Sequence, residues 1–200
     1  DEIHRASQPS AKPSTCVINF RNELADKIER DIVMVPIHLL RFRKDNGRIA
    51  SDVLSYEKSK RPLSENDPKD QEILRKFLFE KDTEKTKELQ NSLLKYGQTE
   101  PAIITCDGFL INGNRRKMAL QELQKVYVGD ERFKWMRVVI LPGKDKGAPT
   151  LREIEQIENR YQLMSDGKAE YYNFDRALSF KHKIELGISL EEQLRDDPNY

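Results

Sequence analysis

Pro101–Leu120 reads PAIITCDGFLINGNRRKMAL, and this stretch decides the fold. PAIIT (101–105) is β-rich, Asp107-Gly108 is a tight-turn pair, and Phe109–Ile111 is a short returning strand. Gly113 then opens a helix from Asn114 to about Tyr127, with Met118, Ala119 and Leu123 on its inner face. A glycine at that point lets the backbone take a positive φ or come close to a ligand. The first amides of the helix lack partners, and the helix dipole adds roughly half a positive charge there. Arg115 and Arg116 add forked donors that suit phosphate oxygens. Gly113-Asn114-Arg115-Arg116 therefore has the makings of an anion cradle. Two arginines in a first turn can equally be solvated side chains. Cations oppose the dipole at this end, which favours an anion beside them. The residues alone leave both readings open.

Working outward, EKTKELQNSLLKY (84–96) predicts a helix capped by Thr83 and stopped by Gly97. MRVVIL (136–141) and IVMVPI (32–37) predict strands, and 69–80 a helix with Ile73, Leu74, Phe77 and Leu78 on one side. Residues 18–30 carry Phe20, Leu24 and Ile28 at helical spacing, 1–16 read as a flexible lead-in, and 52–68 as a loop. Beyond a loop at 142–149, helices are expected at about 150–163, 168–186 and 189–195. The fold class expected is α+β, a small mixed β-sheet with packed helices, followed by an all-α segment. The divisions read from the pattern are a lead-in with a short helix at 1–31, a mixed domain at 32–145 with an insertion near 49–83, and a helical segment at 146–200.

Of 200 residues, 37% are hydrophobic and 34% charged, enough to bury a core behind a highly charged surface. Lys and Arg total 35 against 34 Asp and Glu, a net charge of +1. Any anion binding must therefore be local. No apolar run approaches the roughly 18 residues of a membrane span. Cys16 and Cys106 lie outside any paired motif and His4, His38 and His182 are far apart, so two reduced thiols in a cytoplasmic protein are expected and a structural zinc site is not. The chain opens on Asp1, and a fragment of a longer protein is expected.

Three blocks, in order, resemble the N-terminal domain of ParB-type partition proteins in the ParB/sulfiredoxin superfamily. LQNSLLKYGQTEPAII (Leu89–Ile104) is similar to the family's helix–Gly–strand segment, with Gly97 and Pro101 in place. INGNRRKMAL (Ile111–Leu120) resembles its GERR box, and Ile157-Glu158-Asn159-Arg160 the start of its ENxQR box. Upstream, VPIHLLRFRKDNGR (Val35–Arg48) resembles the opening strand and a loop ending in Arg48. The likeness runs over roughly 33–195.

What the resemblance implies is a nucleotide site, for CTP or ATP with Mg²⁺. Arg48, Gly113, Asn114, Arg115, Arg116, Asn159 and Arg160 would contact the nucleotide. Glu158 and Asn159 would lie at its Mg²⁺, with Glu158 the candidate catalytic carboxylate of an NTPase or CTPase. Family partners would be DNA and a second copy of the chain. Ile184–Leu194, with Gly187 before a Ser189-capped helix, resembles the entry to a helix-turn-helix, but 189–198 is acidic, so DNA contact would fall to regions at or beyond the end. This sequence departs from the family pattern in three places. Asn114 replaces the acid of GERR, Tyr161-Gln162 replaces the Gln-Arg pair of the third box, and 49–83 is longer than expected. Sulfiredoxin chemistry needs a cysteine in the loop, where Asn114 stands. Three functions stay in view: a nucleotide-dependent switch in a DNA-associated process, an enzyme on the same scaffold (NTPase, phosphotransferase or nuclease), and a nucleotide-free interaction domain.

Overall fold

The structure, a computed structural model, describes residues 2–10, 15–18, 29–81, 83–143, 147–163 and 180–194. Its centre is β3 (Glu29–Pro36), whose β-branched run pairs antiparallel with β5 (Trp135–Ile140), Ile32 opposite Val139 and Val35 opposite Met136. β4 (Ala102–Ile104) lies parallel to β5, with Ala102 opposite Val138. Two short strands, β1 (Gln8–Pro9) and β2 (Thr15–Val17), pair antiparallel with successive stretches of β3. The sheet is mixed and five-stranded, in the order β1-β3-β5-β4 with β2 beside β3.

Side chains alternate across this sheet and feed two cores. Val35, Ala102, Ile104, Met136 and Val138 face helices α2 (Ala50–Ser59), α3 (Pro68–Lys81), α4 (Thr83–Tyr96) and α5 (Asn114–Val126), meeting Val53, Leu74, Leu93, Met118 and Leu120 among others. Ile32, Ile103, Ile111, Val139 and Leu141 face the other way and bury Ile154 and Ile157 of α6 (Leu151–Leu163). The sheet is thus covered on both faces. A helix over 180–185, α7, and α8 (Leu190–Leu194) pack beyond α6.

The α+β class and the helical segment after the sheet agree with the sequence reading. So do α4, α5, β4, β5 and the Asp107-Gly108 turn, where the Gly108 amide donates to Thr105 O at 3.0 Å. Phe109–Ile111 forms isolated bridges to Arg41 and Ile104 rather than a strand. Three further expectations are corrected. The lead-in contains α1 (Glu2–Ala6) and two strands, because β3 offers an unpaired edge and Ile3 buries itself in the core. Of the expected 52–68 loop, 52–59 is helix, since Val53 packs on the core and Tyr56 edges onto Phe77. Thr83 does not cap a helix: its hydroxyl donates back to Phe79 O in α3 at 2.9 Å. Of the expected 18–30 helix, 19–28 lies outside the described residues and Glu29-Arg30 is strand. Of the 168–186 helix, 168–179 also lies outside them.

Gly113 shows why glycine is required at the mouth of α5. Its φ is +88°, and an added Cβ would meet the Ala102 Cβ at 2.6 Å and Met136 Cε at 3.0 Å. Gly97 also has positive φ, at +71°, but open space around it. Gly113→Ala should therefore cost about 3 kcal/mol, from left-handed strain plus overpacking, and Gly97→Ala only about 1 kcal/mol from strain. Urea unfolding of the two variants against the parent measures the difference.

Candidate functional site

The first turn of α5 opens on Gly113, and no side chain caps it. Immediately before it, Asn112 Oδ1 accepts from the Ile103 amide at 2.7 Å, which ties the loop to β4 and aims the helix. Asn114 is nine-tenths buried, and its Oδ1 accepts no hydrogen bond from any described residue. Arg116 turns back to the strand side, donating to Pro101 O at 3.1 Å and pairing with Glu100 at 2.8 Å. Burial lowers its pKa from the ordinary guanidinium value. Arg115 is half-buried in the same turn.

One turn further, Lys117 is almost wholly buried. Its Nζ donates to Leu40 O at 2.6 Å and stands 3.9 Å from the centre of the Phe42 ring. Desolvation draws its pKa down from 10.5 to about 7, against a smaller opposing pull from Glu72. These contacts dock the Leu40–Arg48 segment onto α5. The segment also runs beside Phe109-Leu110: the Leu110 amide donates to Arg41 O at 2.9 Å, and the Arg41 guanidinium covers the Phe109 ring.

From there the segment reaches α6. Arg43, 7% exposed, donates to Glu155 Oε1 at 3.0 Å and to Glu158 Oε2 at 3.1 Å. The Gly47 amide donates to Glu158 Oε1 at 3.2 Å. Asn159 Nδ2 donates to Gln193 O of α8, and its Oδ1 accepts from Lys183 Nζ of α7 at 3.4 Å. Arg43, Glu155, Glu158 and Lys183 form a buried set of two cations and two anions. Burial raises the Glu155 pKa, reinforced by Glu158, and lowers that of Lys183.

The structure does not bring the expected residues to one point. Gly113, Asn114 and Arg115 share the helix mouth. Arg48 lies at the end of the docked segment, its amide held by Asn46 Oδ1 at 3.0 Å. Glu158 and Asn159 sit behind that segment and not in the mouth. Both Glu158 oxygens accept hydrogen bonds, and the Lys183 ammonium stands where a cation would approach Asn159 Oδ1. So the uncapped mouth of α5 is where Gly113, Asn114 and Arg115 could meet a ligand, while Glu158 and Asn159 as placed do not fit Mg²⁺. Among the described residues no group of three His, Cys, Asp or Glu side chains is set to hold a metal ion, and no helix is long and apolar enough to cross a membrane. Arg160 is half-buried near the far end of α6. Sequence reading missed Arg43, Lys117 and Lys183. The only trace of them was charge inside otherwise apolar spacing.

A solved structure described as the C2221 form of a Pnob8-like ParB-N domain is similar at 11% identity with a TM-score of 0.46, over 83% of this chain and 49% of that one. The chain spans about half the length of that protein, and a likeness at this level assigns no residue a role. No protein-family model and no curated protein matches the sequence.

The buried Lys117 has a measurable signature. Its folded pKa lies below its unfolded value, so the unfolded chain holds the extra proton between about pH 7 and 10.5. Stability from this group is complete above 10.5, falls as pH drops through that window and is lost below about 7. Between pH 7.5 and 9.5 the parent should gain up to roughly 1.4 kcal/mol per pH unit relative to Lys117→Met. Urea midpoints at matched pH read the difference in slope.

Proposed function

We propose that this chain is a nucleotide-binding module of ParB type that holds nucleotide phosphates at the Gly113–Arg116 loop and works as a switch in a DNA-associated process. The observation that carries the reading is the mouth of α5: an uncapped helix start, with a buried Asn114 carbonyl oxygen that no described residue satisfies. A buried acceptor left without a donor costs about 1–3 kcal/mol, which a ligand hydroxyl or amino group would recover. The helix amides and Arg115 would take the phosphates, and Asn114 Oδ1 a donor of the sugar or base. The ordered sequence blocks around the loop support a nucleotide as that ligand. CTP and ATP are the two candidates, with Mg²⁺ carried on the phosphates.

Connectivity supports the switch reading. The Leu40–Arg48 segment touches the mouth of α5 through Lys117 and touches α6 through Arg43 and Gly47. A ligand that shifts this segment would be felt by α6, and through Asn159 by α7 and α8. DNA and a second copy of the chain are the partners proposed to read that change. Binding is favoured over catalysis because Glu158, the candidate acid or base, already has both carboxylate oxygens committed to Arg43 and Gly47.

Calorimetry with CTP, ATP, GTP and ADP in the presence of Mg²⁺ tests the proposal. One of them should bind with a Kd in the micromolar range, and Arg115→Ala should weaken it at least tenfold, the loss of about one charge-assisted hydrogen bond. Absence of binding below millimolar for all four contradicts it.

A further inference from the structure

The 49–83 insertion is the part of the chain that the resemblance leaves without a role. In the structure it grips the Arg41–Arg48 segment residue by residue. The Phe42 amide donates to Gln71 Oε1 at 2.7 Å, and Gln71 Nε2 donates back to Phe42 O at 2.9 Å. A side-chain amide thus pairs with one backbone unit as a neighbouring strand would. Gln71 Nε2 also donates to Glu65 O at 2.8 Å, joining that grip to the next one. Glu65 Oε1 accepts from the Lys44 amide at 2.6 Å, Glu57 pairs with Lys44 Nζ at 3.4 Å, and Asn66 Oδ1 accepts from Arg41. The loop that carries Glu65 and Asn66 is itself braced, Asp70 accepting from the Ser64 amide and from Arg61. Arg41, Phe42 and Lys44 are therefore held by the insertion, and Arg43 alone among them is directed to Glu155 and Glu158.

We infer that Gln71, backed by Glu65, is a positioning residue: it fixes the register of the Arg41–Arg48 segment, so that Arg43 enters the two carboxylates and the Gly47 amide meets Glu158. The segment turns at Lys44-Asp45 and again at Gly47-Arg48, so a one-residue slip would take each side chain off its partner. Here it would withdraw Arg43 from two buried carboxylates and put Lys44 or Phe42 in its place. Burial of Leu40 and Phe42 in the core holds the start of the segment, and the two bonds from Gln71 to the amide and carbonyl of Phe42 add a directional restraint on that one residue. The insertion is by this account an integral wall of the site. The consequence for ligand affinity rests on the proposed nucleotide reading; the consequence for the segment does not.

The test uses the full chain and two readouts. Gln71→Met keeps the volume and removes both bonds to Phe42 together with the one to Glu65 O. The first readout is amide hydrogen exchange at Gly47, which donates to Glu158 and does not touch Gln71, with the Ile103 and Ile104 amides of the sheet as internal controls. Exchange at Gly47 should rise about tenfold while the sheet amides keep their protection, and Glu65→Ala should act in the same direction if the first variant does not fold. The second readout is affinity for the nucleotide, CTP or ATP, that the parent binds. Gln71→Met should weaken it about tenfold, whereas Arg115→Ala weakens it without changing exchange at Gly47. Unchanged Gly47 exchange in both clamp variants, or a rise shared equally by the sheet amides, overturns the inference whether or not the parent binds nucleotide. If the parent binds none, the nucleotide reading alone has failed and the exchange result still decides.

Discussion

A buried arginine between two buried carboxylates is the constraint on which the rest of this structure depends. Arg43 is removed from water together with Glu155 and Glu158, and Lys183 completes the neutralisation from α7. Such a set contributes little net stability, because desolvation consumes most of the attraction. Its value is that it tolerates few arrangements: any displacement of one member strands a charge. It therefore couples three parts of the chain that the hydrophobic cores alone would not lock together. These are the 41–48 segment, α6, and the helices over 180–194.

The two cores have a different task. One face of the sheet carries α2 to α5, the other α6, and both are filled by alternating side chains of β3, β4 and β5. They place the mouth of α5 at the start of β4 and β5, where Gly113 has no room for a Cβ. Apolar packing thus locates the helix mouth, and the polar network locates the segment beside it. The division explains how a ligand could move one without unfolding the other.

Much of this was legible in the sequence. Strands rich in β-branched residues, the Asp107-Gly108 turn, the Leu-spaced α4 and the Gly113 helix start all obey short-range rules. Ser189 and Glu192 also exchange the reciprocal bonds of a capping box, as the Ser189 cap implied. What could not be read were features that depend on distant residues. β1 and β2 owe their strand form to the edge of β3 and not to their own composition. α2 is helical because its apolar residues find partners across the core. Glu158 and Asn159 were picked out by their order in the chain, but their partners Arg43, Lys183 and Gln193 lie 24 to 115 residues away in sequence, where no local pattern reports them. The role of Gln71 is hidden for the same reason, since its clamp on Phe42 spans 29 residues.

The central proposal is that the mouth of α5 and the 41–48 segment respond together to one ligand. Titrating the isotope-labelled chain with CTP or ATP and Mg²⁺, and following backbone amide resonances, tests it most directly. The account predicts that the amides of Gly113 to Arg116 and those of Gly47 and Arg48 shift together along a single saturation curve. Shifts confined to one group, or none at either, would contradict it.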